Sequence, residues 1–179
     1  SFDALYERHG ARVLNAIYRM TGDADVSRDL AQEVWLRVYR HLDRFEARAE
    51  IFTWIYRISV NITLNHLKQA KRRRWTQLLD RSVGEVFGDD TADPLAVLPA
   101  ATERPDRAME HEQRAHHLWR AVQSLDPMYR VPIVLFHYED MSYQEIADAM
   151  GLSMPAVQAR IFRARKQLAK ALGPLLDQL

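Results

Sequence analysis

The stretch from Met141 to Leu172, MSYQEIADAMGLSMPAVQARIFRARKQLAKAL, limits the fold more than any other. It reads as two helices joined by a glycine turn, the second of them basic. Ser142 is placed to cap the first helix, and Glu145 stands three residues on, the spacing of a capping box. Ile146 and Met150 form one apolar stripe. Gly151 can take the left-handed conformation that ends a helix. Ser153 is the next cap, and Pro155 falls in the first turn, where a missing amide donor costs little. Val157, Ile161, Ala164 and Leu168 repeat at helical spacing and predict an inward face. The outward face carries Gln158, Arg160, Phe162, Arg163, Arg165, Lys166 and Lys170, and no acid stands between Asp148 and Asp177.

This is a helix-turn-helix arrangement, in which the second helix enters the major groove. Arginine forks on such a helix can address guanine edges or phosphates. A basic surface hairpin with no nucleic-acid role would share the same spacing. Unbroken positive charge with an aromatic inside it favours DNA.

The 179 residues suffice for one large domain or two small ones. Hydrophobic residues make up 47% and charged residues 27%, the balance of a soluble globular chain. With no cysteine, disulfides and thiolate metal sites are excluded. No apolar run has the length to cross a bilayer and no signal peptide is visible, so the expected compartment is the cytoplasm, with no membrane insertion. The net charge of +1 hides segregation. Lys68, Lys71, Arg72, Arg73 and Arg74 form one basic cluster and the last helix another. Between them lie Asp80, Glu85, Asp89, Asp90, Asp93, Glu103 and Asp106. Such separation predicts two anion-contacting zones joined by a segment that avoids anions.

Taken in order, the chain predicts helix throughout and no strand. Phe2 to Met20 carries a stripe of Leu5, Tyr6, Val13, Leu14 and Ile17, broken at Thr21-Gly22-Asp23. Asp25 is placed to cap a second helix, running to about Leu42, with Val26, Leu30, Val34 and Val38 on one face. Ile51 to about Arg74 forms a third, with Phe52, Trp54 and Tyr56 at its start; Phe52 and Trp54 are expected in the core. These three helices predict a compact domain over residues 1–75. Gly84, Gly88, Pro94, Pro99 and Pro105 punctuate the acidic residues 76–107, a flexible linker with at most one helical turn near Leu78. From Ala108 helix returns, with Leu118, Trp119, Val122 and Leu125 on a stripe. Asp126-Pro127 restarts it with a cap and an early proline. Ile133 to Phe136 must be central core, and Pro132 should bend that helix. Residues 108–179 form the second domain. The fold class is all-α.

Candidate chemistry is sparse. Cations at Lys68 to Arg74, behind Asn61 and Asn65, could meet phosphates and exposed bases; they could equally be a solvated helix end favoured by its dipole. His111-Glu112 and His116-His117 lack the four-residue histidine spacing of a zinc protease, so no metal ligands are assigned. No nucleophile elbow, phosphate loop or dinucleotide turn is present. Nothing supports an enzyme, a cofactor or a small-molecule substrate.

Three blocks carry a resemblance: DLAQEVWLRVYRHLDRF (Asp29 to Phe45), FTWIYRISVNITLNHLK (Phe52 to Lys68), and LDPMYRVPIVLFHYEDMSYQEIADAMGLSMPAVQARIFRARKQL (Leu125 to Leu168). In this order they resemble the extracytoplasmic-function (ECF) group of bacterial RNA polymerase sigma factors, closest to the envelope-stress branch. The resemblance implies a sigma domain 2-like first domain and a sigma domain 4-like second. It implies that Asp29, Gln32, Glu33, Leu36 and Arg37 dock on the clamp helices of core RNA polymerase, whose flap region is a second contact. His41, Arg44, Phe45, Asn61, Asn65, Lys68 and Arg72 would bind the −10 element and capture a flipped base, with the loop from His41 to Glu50. Gln158, Ala159, Arg160, Phe162, Arg163 and Lys166 would read the −35 element. An anti-sigma factor is the further partner implied. The chain departs from many relatives at Gln158 and Ala159, where they carry a basic residue and a serine, and its loop DRFEARAE lacks a glycine after the aromatic.

Physics sets a matching requirement. Flipping one base costs a few kcal/mol, within reach of a small pocket. Opening a turn of duplex costs far more, at about 1.4 kcal/mol per step, so a larger body must contribute. Two other classes stay open on the residues alone: a helix-turn-helix regulator acting without polymerase, which would need a dimer helix that is not evident, and an interaction adaptor with incidental basic helices.

Overall fold

The computed structural model describes residues 1–45, 51–81 and 107–176. Among these there are seven α-helices, one 3-10 turn and no strand: α1 (Phe2–Thr21), α2 (Ala24–His41), the 3-10 turn Leu42–Arg44, α3 (Ile51–Arg81), α4 (Arg107–Ser124), α5 (Pro127–Tyr138), α6 (Tyr143–Met150) and α7 (Met154–Leu176). The all-α expectation holds. Residues 82–106, most of the expected linker, and residues 46–50 of the expected base-capturing loop lie outside the described residues.

Local chemistry sets the helix ends. Ser1 caps α1, and Gly22 closes it in the left-handed region at φ 74°. The next helix is capped by Asp23, not by the expected Asp25: the Asp23 carboxylate accepts from the amides of Asp25 and Val26 at 2.9 and 3.0 Å. Both acids suit a cap, but Asp23 has the extended backbone (φ −124°, ψ 120°) that a cap requires. Asp126 caps α5 with Pro127 behind it, as expected, and the helix continues through Pro132 to Tyr138. The third helix runs to Arg81, past the expected end at Arg74, and absorbs the turn foreseen near Leu78. Lys and Arg are good helix formers, and the first glycine beyond them is Gly84.

The first three helices pack on one another around Val13, Ile17, Met20, Val34, Val38, Ile55, Tyr56 and Val60, all at most 1% exposed. The last four pack around Val131, Val134, Leu135, Ile146, Val157 and Ile161. The two groups then close on each other. Helix α1 lies against α5 and α4, α3 lies against α6, and one apolar core runs through both groups. At this junction Tyr18 stacks on Trp119, with ring centroids 5.0 Å apart, and the Gln123 amide donates to the Arg19 carbonyl at 2.8 Å. Two stripe residues do not face inward as expected: Tyr6 is 52% and Leu118 39% exposed.

Candidate nucleic-acid interface

The helix-turn-helix forms as its sequence dictates. Ser142 and Glu145 make a reciprocal capping box: the Glu145 amide donates to Ser142 Oγ at 3.2 Å, and the Ser142 amide to Glu145 Oε2 at 2.8 Å. Gly151 ends α6 at φ 65°. Ser153 accepts from the Ala156 amide at 3.3 Å to start α7. Val157, Ile161 and Ala164 are buried, as predicted, and Leu168 packs against the core. Gln158, Ala159, Phe162, Arg163 and Lys166 are exposed on the opposite face, and Phe162 keeps 67% of its surface in water. Arg165 turns back to lay its guanidinium over Phe136, 5.2 Å from the ring centre. Arg160 is half-buried in a crevice described below.

The second surface is assembled from three elements. His41 ends α2, Arg44 ends the 3-10 turn, and Asn61 projects from α3. Together with Arg37, Trp54 and Ile58 they line an open pocket of about 400 Å³. Phe45 packs on Trp54 at 5.2 Å between ring centres and braces the ring that lines the pocket. The structure therefore corrects the expectation for Phe52 and Trp54. Both are half-buried rather than core, and Trp54 offers a ring to the pocket. Phe52 instead packs on Tyr56 and carries the Arg12 guanidinium 4.4 Å above its ring. From the pocket Asn61, Asn65, Lys68 and Arg72 run along α3 at steps of four, three and four residues, all exposed on one face.

The residues expected to dock on polymerase also share a face. Asp29, Gln32, Glu33, Leu36 and Arg37 are exposed along α2, and Glu33 pairs with Arg37 at 2.7 Å. Leu36 is 56% exposed, a large apolar side chain open to solvent. Arg37 also lines the pocket of His41, Arg44 and Asn61, so the two surfaces meet at that residue. An aromatic groove of about 800 Å³ between α1 and α2 adjoins Gln32 and Leu36, walled by Phe2, Tyr6, Trp35 and Tyr39. The sequence reading did not find it, because Tyr6 counted there as part of the inward stripe.

Sequence reasoning also missed Glu139. Its side chain is 1% exposed, although it follows the last turn of α5 and reads as a loop acid. One carboxylate oxygen accepts from Arg12 Nε at 3.2 Å and from the Tyr56 hydroxyl; the other accepts from Arg19 at 3.1 Å. Arg12 also donates to the Glu139 backbone carbonyl at 3.2 Å. Burial first, then the Glu139 hydrogen bond, pushes the Tyr56 phenol well above its usual range, so it stays a donor. Asp140 follows in the left-handed region at φ 54°, turning the chain out of the junction. No local pattern signals an acid whose partners lie more than 80 positions away.

Comparison with known proteins matches this geometry to a family. A family model of sigma-70 region 2 matches residues 5–73, and a model of sigma-70 region 4 matches residues 116–168. The chain is similar to the RNA polymerase sigma-H factor of Pseudomonas aeruginosa, 34% identical over 179 residues that cover 99% of this chain and 89% of that protein. It is similar to the ECF RNA polymerase sigma-E factor of Escherichia coli, 31% identical over 176 residues, or 98% and 88% of the two chains. Among solved structures it shares the fold of the sigma factor RpoE from Bartonella quintana, in a co-crystal with the anti-sigma factor NepR (TM-score 0.65, 19% identity, 96% of each chain). It also shares that of CnrH in complex with the cytosolic domain of CnrY (TM-score 0.62, 22% identity, 97% and 88% of the chains). The region 2 match covers helices that a stand-alone helix-turn-helix regulator would not need, and with relatives at this identity over nearly the full length the chain belongs to the sigma-70 family of RNA polymerase sigma factors, in its ECF group.

Proposed function

We propose that the chain directs core RNA polymerase to promoters by dividing the work between its two halves. Residues 1–75 act as the polymerase-docking and −10 domain, 76–107 as the linker, and 108–179 as the −35 domain. Asp29, Gln32, Glu33, Leu36 and Arg37 dock on the clamp helices, with Leu36 as the apolar anchor and the charged residues around it as a rim. The second domain meets the flap region. Gln158, Ala159, Arg160, Phe162, Arg163 and Lys166 enter the major groove at the −35 element. The protein acts as an initiation factor in the cytoplasm, without chemistry of its own. Like the relatives solved with NepR and CnrY, it is held by an anti-sigma factor.

The observation that carries this division is the pocket of Arg37, His41, Arg44, Trp54, Ile58 and Asn61. It combines what an unstacked base needs: an aromatic ring for its face, an amide for its edge, and cations for the flanking phosphates. It lies at the head of the Asn61–Asn65–Lys68–Arg72 row, so the strand leading from the base meets cations and amides in turn. Arg37 belongs both to this pocket and to the α2 face, which supports base capture next to the proposed polymerase contact.

Reconstituted transcription tests the proposal. Core polymerase plus this protein is expected to start at sites that neither uses alone. Template runs with no new start site would overturn it, as would a protein that fails to bind core polymerase.

A further inference from the structure

Away from the surfaces described above, one buried charge lacks a counter-charge. Arg130 of α5 is 8% exposed, yet among the described residues no carboxylate forms an ion pair with it. Its Nη1 donates to the Gln123 and Leu125 carbonyls at 2.7 and 3.4 Å, which caps the end of α4. Its Nε is buried without a partner. Burial, only partly opposed by the Asp126 charge, lowers the guanidinium pKa. Capping explains one nitrogen of the fork. It does not explain a whole cation held out of water with no anion against it, which is costly.

Arg130 does not stand alone. With His66, Lys71 and Arg74 of α3 it lines a pocket of about 680 Å³. A crevice of about 310 Å³ adjoins this pocket, since Leu67, Lys71, Asp126 and Pro127 line both. Leu64, Leu67, Met150 and Leu152 make the crevice mainly apolar, and Lys68 and Arg160 add cations to it. Across the two cavities five lysines and arginines (Lys68, Lys71, Arg74, Arg130 and Arg160) face two acids, Asp23 and Asp126. Both acids are engaged. Asp23 accepts from the first amides of α2, and Asp126 accepts from Lys71 Nζ at 2.8 Å and the Met128 amide at 3.0 Å. The surplus is positive, and arginine forks match phosphate oxygens. Each volume falls in the range of about 300–1,000 Å³ that small-ligand sites span, so there is room for more than a bare ion. We propose that pocket and crevice form one site for a nucleoside polyphosphate, with the phosphates against Arg130, Lys71 and Arg74 and the base and sugar over Leu64, Leu67, Met150 and Leu152. Binding there stands whether or not the chain acts on promoters.

Titration calorimetry on the full chain tests this, without polymerase or DNA and with magnesium-free ATP as the probe. A single saturable site per chain is expected. Pyrophosphate lacks the base and sugar, and adenosine lacks the phosphates, so each should bind about tenfold more weakly or worse. Pyrophosphate binding as tightly as ATP would overturn the role of the crevice. ATP uptake without a plateau, or none, would overturn the site. Arg74→Gln removes one exposed cation of the pocket and should weaken ATP about tenfold. Arg8→Gln removes a likewise exposed cation of α1 outside both cavities and should leave ATP binding unchanged. Equal losses from these two variants would show charge attraction alone and overturn the site. Arg130→Met should abolish binding at unchanged helix content, and ATP binding at the parent level would overturn Arg130 as the seat of the anion. If Arg130→Met loses helix content, the comparison of Arg74→Gln with Arg8→Gln decides.

Discussion

The two surfaces proposed to meet DNA are built in opposite ways. On α7 a single helix carries every proposed reading residue, and local signals set its position: the Ser142–Glu145 box, Gly151 and the Ser153 cap. Around Asn61 the pocket exists only because α2, the 3-10 turn and α3 pack together, with Trp54 as its wall, braced by Phe45. A one-helix reader tolerates single changes, each costing its own contact. An assembled pocket fails as a unit.

The largest expected effect breaks the pocket while sparing the helix. Asn61→Ala should leave duplex binding by the holoenzyme unchanged and slow promoter opening at least about tenfold, or about 1.4 kcal/mol in the barrier. Permanganate footprinting of the melted strand measures it, and wild-type opening would remove Asn61 from base capture. Next, Arg163→Ala on α7 should lower output from −35-dependent promoters by roughly 1–3 kcal/mol of recognition if it pairs with a guanine. If it meets a phosphate, all sequences should weaken equally and the salt slope should fall by about one. Unaltered −35-dependent transcription would take it off the reading face.

Two glycines sharpen the comparison further, since both close helices at positive φ. A Cβ on Gly22 would sit 2.5 Å from Gln123 Oε1 of the other half, whereas one on Gly151 meets nothing within 4 Å. Gly151→Ala should cost about 1 kcal/mol from backbone strain alone. Gly22→Ala should cost more, and it should loosen the junction as Gln123 shifts. Equal losses in denaturant melts would show that the halves do not meet at Gly22.

The smallest effect is on pH dependence, with one histidine in each half. Burial, then Arg8 and Arg12, holds His9 below its ordinary 6.5. Burial, then Arg165, does the same for His137. The unfolded chain therefore takes up protons at higher pH than the folded one. Stability from both is complete above about pH 6.5 and declines as pH falls through each folded value. Thermal melts at pH 7.5 and 5.5 should show the loss, and His9→Gln and His137→Gln should each remove part of it.

The same contrast explains what the sequence made legible. Caps, the left-handed glycine and the Val157–Ile161–Ala164 face are local patterns, and they were read directly. The pocket residues His41 and Arg44 came only from the resemblance, while Asn61 was also read directly as an amide on the basic third helix. The third helix is apolar on several sides at its start, so periodicity could not tell buried Tyr56 from half-exposed Trp54. Its end was misjudged because cationic residues end a helix no more readily than they extend one. Glu139 was invisible because its partners stand at positions 12, 19 and 56.

Arg12 has one more consequence. Its guanidinium lies over Phe52, 4.4 Å from the ring centre, while its Nε holds Glu139. With the ring beneath it, the cation gives up little side-chain freedom on meeting the acid, so the first half presents a preformed receptor for Glu139.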